Sequence, residues 1–298
     1  MTETLGARVA VALAAPVAEP VRVFAARLGQ AANALVVLFY GSNLRTGSLE
    51  GVLDFYVLLP GEVESGIWPR VSYHEWELGG TTLRAKVATM TLATFRAAAG
   101  GELLDTTIWA RFVQPSALAW SRDEASAADA RDAVAAAAVT AARLAVALGP
   151  DSAPAEEYWR CLFRATYAAE FRVEKAGREE SILAANCEHF AGLLPLALEA
   201  GGVVFACEGD TLRPSMSAAE RSRIRRWWAK RRRLGKPYNL ARLVRASTTF
   251  DGAARYAAWK IERHTGVAVE VTPWRERHPV LAGPGVLWRV WRARRATK

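Results

Sequence analysis

Cysteine is scarce: Cys161, Cys187 and Cys207 are the only three in 298 residues. Their odd number and wide spacing, without a Cys-x-x-Cys pair, exclude a disulfide framework and fit a reducing compartment. The four histidines, His74, His189, His264 and His278, are scattered as well, so no zinc-ligand pattern is present. No apolar run reaches the roughly 20 residues that a bilayer span requires. The run from Val9 to Ala15 is short and is followed at once by Pro16, Glu19 and Pro20. An N-terminal helix is expected there, not a secretory leader. Acidic residues are outnumbered, 30 Asp and Glu against 39 Lys and Arg, for a net charge of +9. That balance points to a polyanionic partner, whether nucleic acid, nucleotide phosphate or an anionic membrane surface. With 51% hydrophobic and 23% charged residues the chain is globular, and long enough for one large core or two modest ones.

Leu35-Val36-Val37-Leu38-Phe39-Tyr40 reads as a buried strand that ends abruptly at Gly41-Ser42. Eleven residues later, Asp54-Phe55-Tyr56-Val57-Leu58-Leu59 reads as a neighbouring strand with one acid near its start. A Gly-Ser turn lets backbone N–H groups and a hydroxyl approach phosphate closely, because glycine adds no side-chain bulk. An aspartate on the next strand can hold Mg²⁺ against phosphate oxygens. The same residues would also serve as a plain turn between two core strands. The pattern resembles the nucleotidyltransferase superfamily, which supplies a second acid two residues after the first; here that position is Tyr56.

Around these strands, the spacing of Val21, Phe24 and Leu28 predicts a helix leading into the first strand. Gly79-Gly80 divides two further strands, Trp76 to Leu78 and Leu83 to Thr91, as a hairpin, so a mixed sheet is expected. Lys86 lies in the second of these. Helices are predicted over 92–99 and 104–112, a closing strand over 117–120, and an Ala-rich helix over 125–148. Two more helices follow at 156–173 and 181–200, then a small hairpin from Val203 to Pro214. Helices with an appended hairpin resemble a winged-helix arrangement. Ser217 and Glu220 stand at capping-box spacing and open a basic helix to Arg233. A last helical segment, 240–263, should break near Asp251-Gly252. The expected organisation is an α/β domain with a mixed sheet over 1–124, a mostly helical domain over 125–236, and a cationic C-terminal segment over 237–298.

Taken in order, these pieces resemble the mitochondrial-type CDP-diacylglycerol synthases, phosphatidate cytidylyltransferases of the translocator assembly and maintenance family. Phe39-Tyr40-Gly41-Ser42 resembles the family's Tyr-Gly-Ser, and Leu53-Asp54-Phe55 its Leu/Ile-Asp-Phe. Lys86 falls at a family lysine. Trp109-Ala110-Arg111-Phe112-Val113-Gln114-Pro115 is similar to Ala-Gly-Arg-x-x-Lys-Pro, with Gln114 in the lysine place. Thr166-Tyr167-Ala168-Ala169-Glu170-Phe171-Arg172 is similar to Ser-Tyr-x-Gly-Asp-Phe-Arg. Asn186-Cys187-Glu188-His189-Phe190 matches Asn-x-x-His-Phe, although a preceding family lysine is Ala184 here. Leu243-Val244-Arg245-Ala246-Ser247 is similar to Ile-Val-Arg-Pro-Ser. The ordered set covers about residues 35 to 250, and the composition fits a bacterial member.

The resemblance implies a nucleotidyltransferase fold, a winged-helix-like domain and a membrane-contacting C-terminus. It implies CTP and phosphatidic acid, or a related lipid phosphate, as substrates and Mg²⁺ as cofactor. Gly41 and Ser42 would hold the β- and γ-phosphates, Asp54 the metal, and Lys86 and Arg111 the triphosphate or the lipid phosphate. Tyr167, Glu170, Arg172 and Arg245 are further substrate-binding candidates. Glu75, Glu77, Glu102 and Asp105 are all open as the missing second acid. The basic helix carries Trp227-Trp228, and the tail carries Trp288 and Trp291 among arginines. Such a mixture suits the interface of an anionic membrane, and also suits nucleic acid. A peripheral protein on the cytoplasmic face of the membrane is expected. A soluble acceptor, or a degenerate binding module without turnover, are the competing readings.

Overall fold

The computed structural model describes residues 3–67, 70–169 and 178–277, with Ala282, Gly283, Gly285, Trp288 and Arg292 of the tail. Helices α1 (Leu5–Leu13) and α2 (Glu19–Ala31) come first. Thr4 caps α1 by accepting from the Ala7 N–H at 3.2 Å. Pro20 sits in the first turn of α2, where a missing N–H breaks no helical bond. Strand β1 (Val36–Tyr40), the short α3 (Ser42–Thr46) and β2 (Leu53–Leu59) follow. Strands β3 (Arg70–Leu78) and β4 (Thr81–Thr91) form the expected hairpin, with Gly79 and Gly80 both at positive φ. Helices α4 (Leu92–Ala99) and α5 (Thr107–Phe112) then lead to β5 (Ser116–Ser121). The start of α5 is three residues later than expected, because the Asp105 carboxylate turns inward to accept from the Thr107 N–H.

The five strands make one mixed sheet in the order β3-β4-β2-β1-β5. Only β2 and β4 are parallel; the other neighbours are antiparallel. Val36 and Leu38 face one apolar cluster, Val37 and Phe39 the other. Burial on both faces explains why β1 reads as an unbroken apolar run.

The Ala-rich helix is α6 (Glu124–Leu148). Its buried alanines, among them Ala130, Ala133, Ala137, Ala141 and Ala145, let other helices approach closely on several sides. Strand β6 (Ala153–Pro154) and α7 (Ala155–Ala169) follow. The single helix expected over 181–200 is instead α8 (Arg178–Ala185), α9 (Cys187–Phe190) and α10 (Leu193–Ala200). The Asn186 side chain donates to the Ile182 carbonyl at 2.7 Å, and Gly192 is left-handed at φ +73, which accounts for the two breaks. Strands β7 (Phe205–Glu208) and β8 (Thr211–Pro214) form the predicted hairpin. They join β6 in a second sheet of order β6-β8-β7. One apolar cluster runs from Leu38 and Tyr56 of the large sheet through α6 to Trp159, Phe163 and Leu194.

Helix α11 (Ala218–Thr249) runs straight through the break expected after Arg233, with Pro237 inside it. Tertiary contacts outweigh the proline. A Cβ on Gly235 would stand 2.5 Å from the Ala169 carbonyl oxygen, so the two backbones cross at a distance only glycine permits. The break does fall at Asp251-Gly252, before α12 (Ala253–Thr265) and α13 (Pro273–Arg277). There the Tyr73 N–H donates to the Asp251 carbonyl at 2.8 Å, pinning the C-terminal helices to the edge strand.

Trp228 is buried in the core, which corrects the expectation of membrane contact for it, while Trp227 is half-buried beside it. Trp228 is 3% exposed, and both rings pack against buried Trp109, with centroids 6.0 and 6.2 Å away. The Trp227 indole N–H donates to the Gly101 carbonyl at 3.0 Å. Beside it, Arg231 is buried with its guanidinium carbon 3.8 Å from the Trp227 centroid, donating to the Gly101 and Leu103 carbonyls. Desolvation draws this arginine down to about 10. Among the described residues no single helix is long and apolar enough to cross a membrane. Residues 179–200 qualify only as a pair bent by 86°, and Leu183, Phe190, Leu194 and Leu198 of that pair are buried in the core.

Candidate functional site

Sheet register sets a row of side chains across all five strands. Ser116 on β5 pairs with Tyr40, Tyr40 with Asp54, Asp54 with Lys86, and Lys86 with Tyr73. Side chains alternate along a strand, so Tyr56 shares the face that carries Asp54. Arg111, near the end of α5, reaches the same face. Its Nη1 donates to the Tyr56 hydroxyl at 2.7 Å, and its guanidinium carbon lies 5.0 Å from the Tyr40 ring centroid. Tyr56, at the place where the superfamily pattern has a second acid, therefore receives an arginine.

Gly41 closes β1 with φ +94 and ψ −166, a combination essentially restricted to glycine. A Cβ there would stand 3.2 Å from Asp54 Oδ2, so its absence leaves room beside the carboxylate. Ser42 is exposed at the start of α3. Asn43 braces the loop that follows, donating to the Ser48 and Glu50 carbonyls at 2.8 and 2.7 Å.

The electrostatics are those of a partly desolvated cationic cleft. Burial pushes the Asp54 carboxyl above its ordinary value, while Lys86 and then Arg111 pull it back. Burial likewise draws Lys86 below its ordinary value; Asp54 supports its charge, and Arg111, Lys260 and Arg242 oppose it. Burial pushes the Tyr40 phenol up, against the pull of Arg111. Tyr40 is thus a neutral wall beside Arg111.

Gly41, Asp54, Lys86 and Arg111 lie near one another. His189 of the Asn-x-x-His-Phe segment lies close to the same region. Its Nε2 is 2.9 Å from the Val113 carbonyl, to which it donates, and it braces the turn after Arg111. Phe190 beside it packs on Trp159 and Phe163. Tyr167 packs against the main core from α7. Arg245 is exposed on α11 and approaches Gly66 in the β2–β3 loop, 3.7 Å from where a Cβ would sit. Glu170, Arg172 and Trp291 lie outside the described residues. Trp288 is exposed, with the Arg292 guanidinium carbon 4.7 Å from its centroid.

The four candidate second acids are occupied or exposed. Glu75 accepts from the Tyr73 hydroxyl at 2.8 Å and pairs with Arg84 at 3.3 Å. Glu77 accepts from Thr82, and Glu102 faces solvent. Asp105 is buried and pairs with Arg242 of α11 at 2.8 Å. Among the described residues no three His, Cys, Asp or Glu side chains converge as a metal group. A hard cation would fit here on the single carboxylate of Asp54, in the space Gly41 leaves, because Mg²⁺ commonly takes one or two protein carboxylates and completes its shell with phosphate oxygens and water. The contributions of Tyr56, Arg242 and Lys260 carried no sequence signal beyond the departure at Tyr56. No protein-family model and no curated protein matches the chain.

Proposed function

We propose that the protein is a Mg²⁺-dependent nucleotidyltransferase that moves CMP from CTP to phosphatidic acid or a related lipid phosphate at an anionic membrane surface. The observation that carries this reading is the juxtaposition of Asp54 and Lys86 as register partners, with Arg111 above them and the Gly41 space beside the carboxylate. The order α6-β6-α7-α8-α9-α10-β7-β8, with strand order β6-β8-β7, supports a winged-helix-like second part on a nucleotidyltransferase-like first part.

In this reaction an acceptor phosphate oxygen attacks the α-phosphorus, the α–β phosphoanhydride bond breaks, and pyrophosphate leaves. Such transfers depend chiefly on positioning and on neutralising charge. Gly41 and Ser42 let the polyphosphate lie against the turn. Lys86 and Arg111 offset charge that develops on its oxygens. Asp54 would hold Mg²⁺, which when bound supplies further charge neutralisation. No side-chain base is required, because a phosphomonoester is already largely ionised near neutral pH.

The membrane partner is supported by the outer face of α11, where Arg226, Lys230 and Arg233 are exposed, followed by exposed Leu240 and Val244. Exposed Trp288 adds an interfacial ring. Peripheral attachment to the inner face of the membrane belongs to the same proposal. The Tyr56–Arg111 bond favours a second reading, a nucleotide-binding module without turnover. One assay separates them: purified protein with labelled CTP, Mg²⁺ and phosphatidic acid vesicles. Labelled CDP-lipid with pyrophosphate is the expected outcome. CTP binding without product would favour the module, and product only with a soluble acceptor would remove the lipid.

A further inference from the structure

Helix α12 lies against the edge of the sheet that carries the Asp54 row. Tyr256 packs on Tyr73 with centroids 5.4 Å apart, and the Arg84 guanidinium carbon lies 5.7 Å from the Trp259 centroid. Tyr256, Trp259, Lys260 and Arg263 recur at i, i+3, i+4 and i+7, so they share one face of the helix. The Lys260 ammonium stands 5.5 Å from the Tyr256 centroid, and its charge reaches Lys86. Arg263 extends the other way. Its Nη1 lies 2.9 Å from the point a Cβ on Gly51 would occupy, in the loop joining the Gly41-Ser42 turn to Asp54.

Tyr256 and Trp259 hold α12 against the sheet edge, and the Arg263 guanidinium carbon lies 5.3 Å from the Trp259 centroid. Both side chains are exposed; the Lys260 charge is felt at Lys86, and Arg263 reaches the motif loop at Gly51. Arg84 and Arg242 have carboxylate partners in Glu75 and Asp105, whereas Lys86, Arg111 and Lys260 add like charge beside Asp54, which an anion would offset. We propose that Lys260 and Arg263 are the second half of a polyphosphate site, holding the outer phosphates of a triphosphate whose inner phosphate lies at Asp54, Lys86 and Arg111. This rests on the nucleotide reading above, and it adds residues from the C-terminal segment to a site otherwise built from the first part of the chain. A single phosphate meets one half of the array; a triphosphate spans both.

The test titrates the full chain with inorganic tripolyphosphate, orthophosphate and CTP, comparing wild type with the double variant Lys260→Gln, Arg263→Gln. Loss of two charge-assisted contacts should weaken tripolyphosphate binding about tenfold or more, with orthophosphate changed less than about twofold. The charge-keeping variant Lys260→Arg should bind tripolyphosphate within about threefold of wild type. Without ligand, the double glutamine variant should melt close to wild type, because relieved repulsion offsets the two lost cation–π contacts. A large fall in melting temperature together with lost binding would make the two cations structural and overturn the proposal. Wild-type tripolyphosphate affinity in the double variant would overturn it too, while CTP binding by the same proteins left the nucleotide reading standing. Failure of the wild type to bind either CTP or tripolyphosphate would end both.

Discussion

Replacing Gly41 with alanine should damage turnover far more than stability, and Gly47 supplies the control. At φ +94 and ψ −166, Gly41 occupies a region where another residue costs about 1–3 kcal/mol. The new methyl would stand 3.2 Å from Asp54 Oδ2 and 3.8 Å from its Cβ. Relief requires turning the carboxylate or shifting the β1 end, and either change moves the group assigned to the metal. Gly47 caps α3 with φ +66 and ψ 3, and nothing lies within 4 Å of its would-be Cβ. Alanine there meets only the left-handed penalty, about 1–2 kcal/mol. Urea denaturation should therefore show losses of similar size for the two variants. Turnover with CTP and phosphatidic acid vesicles should fall by about 100-fold in Gly41→Ala, the scale of a displacement near 1 Å at a reacting centre. It should stay within about twofold in Gly47→Ala, whose methyl touches nothing. Equal loss of turnover in both variants, or full activity in Gly41→Ala, would refute the placement of the phosphates at this turn.

Asp54→Ala should leave the fold intact and reduce the rate by at least about 100-fold, and a purified variant retaining a tenth of wild-type rate would remove Asp54 from the mechanism. Because burial raises the Asp54 carboxyl above 3.8, the acid limb of the rate profile should lie above that of an ordinary aspartate. The sign for stability is the reverse: a raised folded value favours the fold in acid, so the stability of wild type relative to Asp54→Asn should fall as pH rises from 3.8 through the folded value, read from urea midpoints. Trp228→Ala should cost about 3–5 kcal/mol while leaving vesicle binding per folded molecule unchanged, and a selective loss of vesicle binding would return this ring to the membrane. Arg242→Ala, which strands buried Asp105, should cost about 3–5 kcal/mol in the same denaturation assay; a loss under about 1 kcal/mol would show the pair to be dispensable. Co-sedimentation should favour anionic over neutral vesicles and weaken with salt, and equal binding to both would remove the electrostatic part of the membrane reading.

Local chemistry made much of the chain legible. Two-sided burial turns β1 and β2 into continuous apolar runs; Gly41 ends β1 and the Gly79-Gly80 pair turns β3 into β4, each where the backbone needs positive φ. Ser217 accepts from the Glu220 N–H at 3.1 Å, as its capping spacing implied. Asp54, Lys86 and Arg111 were legible as charged residues on two strands and a helix. Their meeting depended on strand register and on the docking of α5, which no local pattern encodes. Pro237 reads as a helix end, yet the crossing at Gly235 and the Arg242–Asp105 pair carry α11 past it. An arginine-flanked tryptophan pair has the same composition at a membrane as in a core; buried Trp109, far away in the chain, decided which way it turned. Lys260 and Arg263 had no signature at all, since their role arises from α12 folding back onto the sheet edge through Tyr73 and Asp251. Spacing along the chain determined which side chains each strand and helix could offer, because backbone geometry repeats over a few residues. Which of them share one cleft was decided by contacts between distant segments, whose free energy comes from burying surfaces that only the assembled fold brings together.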